Sequence, residues 1–590
     1  MSRRWLYGLL ALVLLLAACQ PNYQLATVTP TLPPTATPSP TEPPPTPTPI
    51  PLSPTPIPPT PAASPEAALE PVVALSTDRG EFFTGSGVCA VCHVNQVDEA
   101  GNDVSLDAQW RSSMMANSAR DPYWQAGMRN ETLSHPDYAA FIQDKCATCH
   151  MPMARFTDYA HDTQAAVFDA GGLLDPANPL HSLAMDSISC SLCHQIEPVD
   201  FGQMASFSGH YTIDTVVPSG DRLAFGPFVV IDTQAILMQG AAGLIPTQGL
   251  HVQQSELCGT CHTLYTPTID NAGQVIGDFA EQMVYPEWLH SSYRDTASCQ
   301  TCHMPAAEGG VVLSITGGNP RSPFMQHEFV GANFYMPDLI RRYGEELGSA
   351  STQAQVDATV SRVLDQLANR TATLSIDSLQ VDGDQLVAAI TVSSLTGHKL
   401  PTSYPARRAW LHVTVTDSTG AVVFESGAYN PDGSIAGNDS DADPTLFEPH
   451  YDLIDSPDQV QIYEAIMQDV DGLPTTTLLS GAGYLKDNRL LPDGFDKASA
   501  GPEIAVYGAA VDDANFTAGS DQITYAVPLS GASGPYTLTV ELRYQSIAYR
   551  WAQNLRRHDT AEANRFLGYW DEQPSPAGLI ASASAAAGGA

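Results

Sequence analysis

The chain has 590 residues, which is too long for one ordinary domain and predicts two domains with additional non-globular parts. It carries 64 acidic residues against 26 basic ones, and the formal net charge of -38 excludes ready binding to nucleic acid or to a bare anionic membrane surface. Hydrophobic residues make up 43% of the chain, while 44 glycines and 47 prolines indicate many loops. The charge favours cationic partners or simple solubility, and we expect no nucleic-acid partner.

The first 19 residues predict export and lipid attachment. Arg3 and Arg4 precede an apolar run, Gly8 to Ala18, that is too short to cross a bilayer comfortably. The run ends at Cys19 in a sequence that resembles the lipobox of bacterial lipoproteins, in which the sulfur of that cysteine carries lipid. An ordinary cleaved signal peptide and an uncleaved anchor are the alternatives. The lipoprotein interpretation places residues 1–19 in a signal peptide and the chain on the outer face of the cytoplasmic membrane or at the cell surface.

Residues 20–78 predict a stalk rich in proline and threonine. Half of the residues from Pro30 to Pro61 are proline. Proline fixes φ and removes an amide donor, so neither a helix nor a sheet can form there. We expect a polyproline-II segment of roughly 3 Å per residue that holds the following domain away from a membrane.

Ten of the eleven cysteines fall in five copies of C-x-x-C-H, and Cys19 is the eleventh. Two cysteines three positions apart lie on one turn and can bond the two vinyl groups of one porphyrin, and the next histidine can bind its iron. The motifs predict five c-type haems. The attachment residues are Cys89 and Cys92, Cys146 and Cys149, Cys190 and Cys193, Cys258 and Cys261, and Cys299 and Cys302; the proximal ligands are His93, His150, His194, His262 and His303.

Zinc binding and redox dithiols are the competing interpretations of these motifs. A zinc ribbon does not require histidine directly after every second cysteine. Five motifs would also leave one unpaired in a four-cysteine scheme. Export agrees with covalent haem, because bacterial cytochromes c mature outside the cytoplasm.

Five further histidines are candidates for the distal side of the irons: His135, His181, His251, His327 and His398. Low-spin electron carriers fill this position with histidine or methionine. The alternative for each is a surface or hydrogen-bonded core histidine. Met114 and Met115 are the alternative ligands near the first motif. His161, His210, His290, His450 and His558 are weaker candidates, and His412 is expected to be solvated.

Residues from about 80 to 570 resemble bacterial multihaem cytochromes c, and their haem region is similar to the tetrahaem cytochromes of nitrogen metabolism. The resemblance rests on the five motifs and on the segments His181–Asp186, His327–Asn333, Gly397–Thr402, Arg407–Val413 and Tyr484–Arg489. It implies bis-histidine haems that are packed as an electron relay. It does not imply a particular reaction.

The sequence pattern changes after the last motif. Val356, Val360, Val363, Leu364 and Leu367 recur at helical spacing, whereas alternating apolar residues from about Thr371 predict strands. The expected fold is a helical and irregular multihaem domain with little regular structure, followed by an all-β immunoglobulin-like sandwich. The predicted boundaries are 79–335 for the pentahaem domain, 336–370 for linking helices, 371–570 for the sandwich with a terminal helix, and 571–590 for a flexible tail.

These observations favour an electron carrier, because a haem with both axial positions filled cannot bind substrate. Its partners would be redox proteins or extracellular acceptors, and its membrane contact the lipid anchor. An oxidoreductase that acts on a small nitrogen or sulfur compound at one open haem is the alternative. A third possibility is that the sandwich serves as a docking module.

Overall fold

The computed structural model describes residues 73–529 and 531–588. The predicted signal peptide, the lipidation site Cys19 and the stalk up to residue 72 lie outside the described residues. The described residues form one compact unit. None of the helices in the described ranges combines the length and the apolar character that a bilayer crossing requires.

The motif-bearing region consists of short helices with long irregular connections. Its helices are α1 Ser86–Ala90, α2 Leu106–Arg111, α3 Pro122–Ser134, α4 Ala139–His150, α5 Pro152–Ala160, α6 His181–Met185, α7 Cys190–Cys193, α8 Asp232–Ala242, α9 Ser255–Gly259, α10 Val284–Leu289 and α11 Cys299–His303. Two small strand pairs accompany them: β1 Arg222–Gly226 is parallel to β2 Leu244–Gln248, and β3 Thr263–Ile269 is antiparallel to β4 Val275–Met283.

Two helices connect this region to the β-rich half: α12 Tyr335–Leu347, with a kink at Tyr343, and α13 Gln353–Arg370. The helix predicted from the apolar spacing is confirmed as α13. Thr352 caps it, because its hydroxyl accepts from the Gln355 amide and the Gln355 side chain accepts from the Thr352 amide. This capping box satisfies two backbone donors that the first turn of a helix leaves unpaired.

The remaining residues form the β domain, which we define as residues 372–587. Its strands are β5 Ala372–Asp382, β6 Gln385–Ser394, β7 Arg408–Thr416, β8 Val422–Ser426, β9 Leu453–Ile454, β10 Ile462–Gln468, β11 Pro474–Thr475, β12 Gly483–Asp487, β13 Ser520–Pro528, β14 Tyr536–Gln545 and β15 Gly578–Ala587. Helices α14 Asp439–Ala442, α15 Tyr549–Asn554 and α16 Ala561–Glu572 lie between them.

The strands form two largely antiparallel sheets. One has the order β5-β6-β13-β9, and the other contains β11-β10-β7-β14-β15 with β12 beside β10 and β8 beside β7. Ile390 and Ile523 from the first sheet share a core with Val413 and Val540 from the second. The alternation in sequence therefore identified the inward faces correctly, since period-2 apolar residues point to one face of a sheet. The immunoglobulin-like topology stays a prediction.

The predicted flexible tail at 571–590 is wrong for most of its length. Residues 571 and 572 complete α16, and β15 pairs along β14 from Tyr536–Ala587 to Tyr544–Gly578. Small alternating residues gave no hydrophobic signal, but Ile580 is buried and the strand supplies an edge to the sheet. Gly578 is required by close packing, because a Cβ there would lie 2.7 Å from Phe334 Cε1.

The haem-motif region and the β domain share their apolar cores. Tyr123 in α3 and Phe279 in β4 belong to one cluster with Trp551, Phe566 and Trp570 from the C-terminal helices. The boundaries predicted at 335 and 370 therefore separate two sequence patterns and not two independent cores. The β domain thus has a fixed position beside the motifs, which allows its side chains to take part in their chemistry.

Candidate functional site

Each C-x-x-C-H motif folds as a single helical turn. The amide of His93 donates to the Cys89 carbonyl at 3.0 Å, and the amides of His194 and His262 repeat this contact with the first cysteine of their own motifs. None of the ten described cysteines forms a disulfide. Because the turn brings both thiols and the imidazole to one side of the chain, every motif has the local form that covalent haem attachment needs.

Four of the five proximal histidines are oriented by the same contact. A ring Nδ1 lies beside a backbone carbonyl oxygen in each of them, at 2.8 Å for His93 and Leu313, 3.2 Å for His150 and Ser118, 2.5 Å for His194 and Phe225, and 2.5 Å for His303 and Val330. Donation from Nδ1 fixes the tautomer and leaves the Nε2 lone pair for a metal. The carbonyls therefore prepare these rings as ligands.

Two pairs of histidines face each other across a gap of the size that one iron fills. The rings of His194 and His327 have centroids 6.4 Å apart at 11°, and those of His303 and His398 have centroids 6.2 Å apart at 10°. An iron with an imidazole nitrogen at about 2 Å on each face places the ring centroids about 6 Å apart. Both pairs therefore fit bis-histidine coordination.

The distal members of these pairs also have the orientation of ligands. The Nδ1 atom of His327 lies 3.1 Å from the Met325 carbonyl, and that of His398 lies 2.9 Å from the Lys399 carbonyl. Burial lowers the pKa of both imidazoles to about 4, and it has the same effect on His150 and His262. The rings are consequently neutral at neutral pH, which is the form that binds a metal.

Two of the five predicted distal histidines thus form facing ring pairs in the described part of the chain, and a ligand role for His135 and His181 stays a prediction. The Nδ1 of His181 lies 2.9 Å from the Leu173 carbonyl, so His181 has the ligand orientation, and it lines a cavity of about 210 Å³ with Arg120 and Asp186. His135 lies beside Ser480, with Nε2 at 3.3 Å from its hydroxyl.

The geometry argues against the predicted role of His251. Its Nε2 lies 2.9 Å from the Ile196 carbonyl, which occupies the nitrogen that a haem ligand would use. The rings of Phe201 and Phe225 also pack against its imidazole at steep angles. The proximity to Cys258 in sequence suggested a ligand, but the local chain satisfies this histidine as part of the protein interior.

Thiols from different motifs lie side by side. Cys89 is a direct neighbour of Cys190, Cys149 of Cys261, and Cys258 of Cys299. Cys193 lies within electrostatic range of both cysteines of the fourth motif. The first motif is therefore adjacent to the third, the third to the fourth, and the fourth to both the second and the fifth.

A structural zinc site does not fit this arrangement. Such a site needs four thiolates or imidazoles around one point. Among the described residues, no three donors from the motifs converge closely enough to share an ion, and the one group of three that does converge is His450 with Asp513 and Asp521. The facing imidazole pairs and the paired thiols on each turn match a porphyrin held from its edge and both faces.

No protein family model matches the chain. No curated protein matches it either. A similar solved structure is the crystal structure of a penta-heme cytochrome c552 from Thermochromatium tepidum, with 17% sequence identity and a TM-score of 0.46. The alignment covers 85% of this chain and 98% of that chain.

The β domain contains a buried polar cluster that the sequence did not indicate. His450 Nε2 lies 2.9 Å from Asp513 Oδ2 and 3.8 Å from Asp521 Oδ1. The side-chain amides of Gln461 and Asn488 both donate to His450 Nδ1, at 2.9 and 3.1 Å.

The amide contacts decide the protonation of His450. Each amide oxygen is engaged by a backbone N–H, from Tyr451 for Gln461 and from Glu464 for Asn488, so each amide must present its NH₂ group to the ring. Nδ1 is therefore an acceptor and the proton is on Nε2, which donates to Asp513. This tautomer makes the cluster a structural histidine–aspartate hydrogen bond and not a metal site.

Replacing Asp521 with asparagine should change how stability depends on pH. Burial raises the pKa of the Asp521 carboxyl to about 7, against about 3.9 for an unfolded aspartate. The protonated carboxyl contributes its full stability below pH 4, and this contribution is lost as pH rises towards 7. Relative to wild type, Asp521→Asn should therefore become more stable by up to about 1.4 kcal/mol per pH unit between pH 4 and 7.

Thermal midpoints measured at several pH values in this range test the prediction. Asparagine keeps an oxygen that can accept from the Tyr463 hydroxyl, now 2.7 Å from Asp521 Oδ2. Asp458→Asn, at an exposed acid of the same domain, controls for the loss of one charge. A difference between Asp521→Asn and wild type that does not change with pH would contradict the assigned role.

Proposed function

We propose that the chain is a multihaem c-type cytochrome that carries five haems and transfers electrons outside the cytoplasmic membrane. The observation that carries the proposal is the pair of facing imidazoles, His194 with His327 and His303 with His398, next to paired thiols. When bound, haem iron supplies reversible one-electron oxidation and reduction. The residues on each side of it bind the porphyrin, orient the imidazoles and exclude water.

The facing imidazoles at two of the five motifs support transfer and not catalysis at those two sites. An imidazole on each face leaves no site at which a substrate could bind the iron. His327 and His398 are buried and neutral, and a neutral imidazole away from water is the form that binds iron. Both rings come from segments outside the motifs they serve, so folding is needed to complete the ligand sets.

The adjacency of the motifs supports a branched relay. Haems that are bonded to neighbouring thiols are neighbours, so the contacts of Cys89 with Cys190 and of Cys149 with Cys261 define two close pairs. Motif four meets motifs two, three and five and is the junction. Motifs one, two and five are the ends at which electrons enter or leave.

The location and the partners belong to the same proposal. The lipobox-like sequence at Cys19 and the proline-rich stalk would hold the cytochrome at a distance from the membrane, where redox proteins or extracellular acceptors can reach it. The charge of -38 favours acceptors or donors with a basic docking surface.

Mass spectrometry and electron paramagnetic resonance test the function on the full chain, produced in a host that matures cytochromes c. We expect the mass of five covalently bound haems and low-spin ferric signals that account for all the iron. Fewer than five haems would refute the cofactor assignment. A substantial high-spin signal would refute the electron-carrier assignment and favour the oxidoreductase.

A further inference from the structure

Four charged side chains are buried directly behind His398. Lys399 and Glu287 have no exposed side-chain surface, Asp487 is 2% exposed, and Arg489 is 8% exposed. Two are basic and two are acidic, so the group is balanced in charge. We call these four residues the ion-pair network.

Short contacts connect the network into one unit. Lys399 Nζ lies 2.7 Å from Asp487 Oδ2, and Arg489 Nη2 lies 2.8 Å from the same oxygen. Arg489 Nη2 also lies 2.9 Å from Glu287 Oε1. Lys399 Nζ donates a further bond to the Ala505 carbonyl at 3.0 Å. Each charged group therefore has an opposite charge in direct contact.

The network joins two parts of the chain that are distant in sequence. Glu287 is in α10, between the fourth and fifth motifs, while Asp487 and Arg489 lie at and just after the end of β12. Lys399 follows His398 in the loop between β6 and β7. The network consequently connects the haem-motif region to the loop that carries His398.

Glu287 anchors this loop at two points on the C-terminal side of His398. Its Oε2 atom accepts from the Lys399 amide at 3.2 Å and from the Thr402 hydroxyl at 2.5 Å. On the N-terminal side, the Thr396 hydroxyl donates to the His398 carbonyl at 2.6 Å. Gly397 allows the backbone of this loop to pass close to Tyr293, because a Cβ at position 397 would lie 3.2 Å from the Tyr293 ring.

The backbone of Lys399 connects the network to the imidazole. The Lys399 carbonyl is the acceptor for His398 Nδ1, at 2.9 Å. Its amide and its ammonium are held by Glu287 and Asp487. A change in the position of Lys399 therefore moves the carbonyl that sets the direction and basicity of the ring.

Stability alone does not explain buried charges of this kind. Their desolvation offsets most of the attraction, and apolar residues of similar size are often as stabilising. Directional contacts, however, hold a backbone in one position.

We propose that the ion-pair network positions His398 opposite His303 and so keeps the fifth-motif iron closed to outside ligands. This inference rests on the proposed function. Glu287, Lys399, Asp487 and Arg489 are positioning residues, since they act on the iron through His398.

Lys399→Met tests the network because methionine keeps the volume and removes the ammonium. The reduced variant should bind one more carbon monoxide per chain than wild type, measured by optical titration. In the oxidised state, about one fifth of the ferric iron should change from low spin to high spin. The haem count by mass should remain five.

Lys486→Met is the matched control. Lys486 is equally buried in the same domain, with Nζ 3.1 Å from Glu464 Oε1, but it does not contact the His398 loop. It should lower thermal stability without additional carbon monoxide binding. Thr402→Val is a milder second variant that removes only the hydroxyl bond to Glu287. It should also increase carbon monoxide binding, by less than Lys399→Met does.

The outcomes separate this inference from the proposed function. Five haems with the same carbon monoxide uptake in wild type, Lys399→Met and Thr402→Val would overturn the positioning role alone. An equal increase in carbon monoxide binding in Lys399→Met and Lys486→Met would also overturn the positioning role, because it would reflect a general loss of packing. A wild-type chain without five haems would overturn the proposed function together with this inference.

Discussion

Replacing His398 with alanine should convert one of the five irons from low spin to high spin and should leave the other four unchanged. His398 is the ring that faces His303, with 6.2 Å between the centroids. On the proposed coordination, alanine removes the sixth ligand and leaves the attachment cysteines and His303 in place. The reduction potential of that haem should rise, because the loss of an imidazole donor disfavours the ferric state.

Electron paramagnetic resonance and a redox titration of the full chain measure both effects. His412→Ala is the control within the same domain. His412 lies on β7 between Glu425 and Glu541, at 3.0 Å from each, and does not contact a motif. Unchanged spectra in His398→Ala would show that the β domain does not supply a haem ligand. A loss of signals from several haems would show that His398 has a structural role for the whole molecule.

Removing the attachment cysteines of the fourth motif should disconnect the relay. The double variant Cys258→Ala/Cys261→Ala loses the haem that is adjacent to motifs two, three and five. Electron exchange between the first and the fifth motif then has to cross the space of a missing cofactor. We expect the redistribution of electrons after flash photoreduction to slow by at least tenfold.

The matched control is Cys299→Ala/Cys302→Ala, which removes the attachment cysteines of the fifth motif. That motif lies at one end of the proposed relay. This variant also carries four haems, but exchange among the first four motifs should keep its wild-type rate. Equal slowing in the two variants would contradict the assignment of motif four as the junction. The haem count and thermal midpoint of each variant establish that both are folded.

The local elements were largely predictable from sequence because their signals are local. The apolar period at Val356, Val363 and Leu367 gave α13, and the alternation around Val413 and Val540 gave strands that pair with one another. The C-x-x-C-H turns are equally local, since each is completed within five residues. The strand β15 was missed because its alternating alanines and serines carry little hydrophobic contrast.

The assembled sites depend on contacts between distant segments. Proximity to a motif suggested His251, which instead bonds the Ile196 carbonyl, whereas His398 lies 95 residues after His303 and faces it directly. Two segments that carried the resemblance, Gly397–Thr402 and Tyr484–Arg489, meet through Lys399 and Asp487. Sequence showed that both segments were distinctive, but only the fold shows that they are in contact.

The side-by-side thiols constrain the order in which the molecule is made. In the folded chain Cys89 is beside Cys190, and Cys258 is beside Cys299, although they belong to different motifs. In an oxidising compartment such neighbours form disulfides, which would consume the attachment sites of two motifs at once. Covalent attachment of haem must therefore come before the chain folds. Otherwise a reductant must keep the thiols reduced until attachment is complete. The close approach that the proposed electron relay needs would therefore be a hazard while the chain is being made.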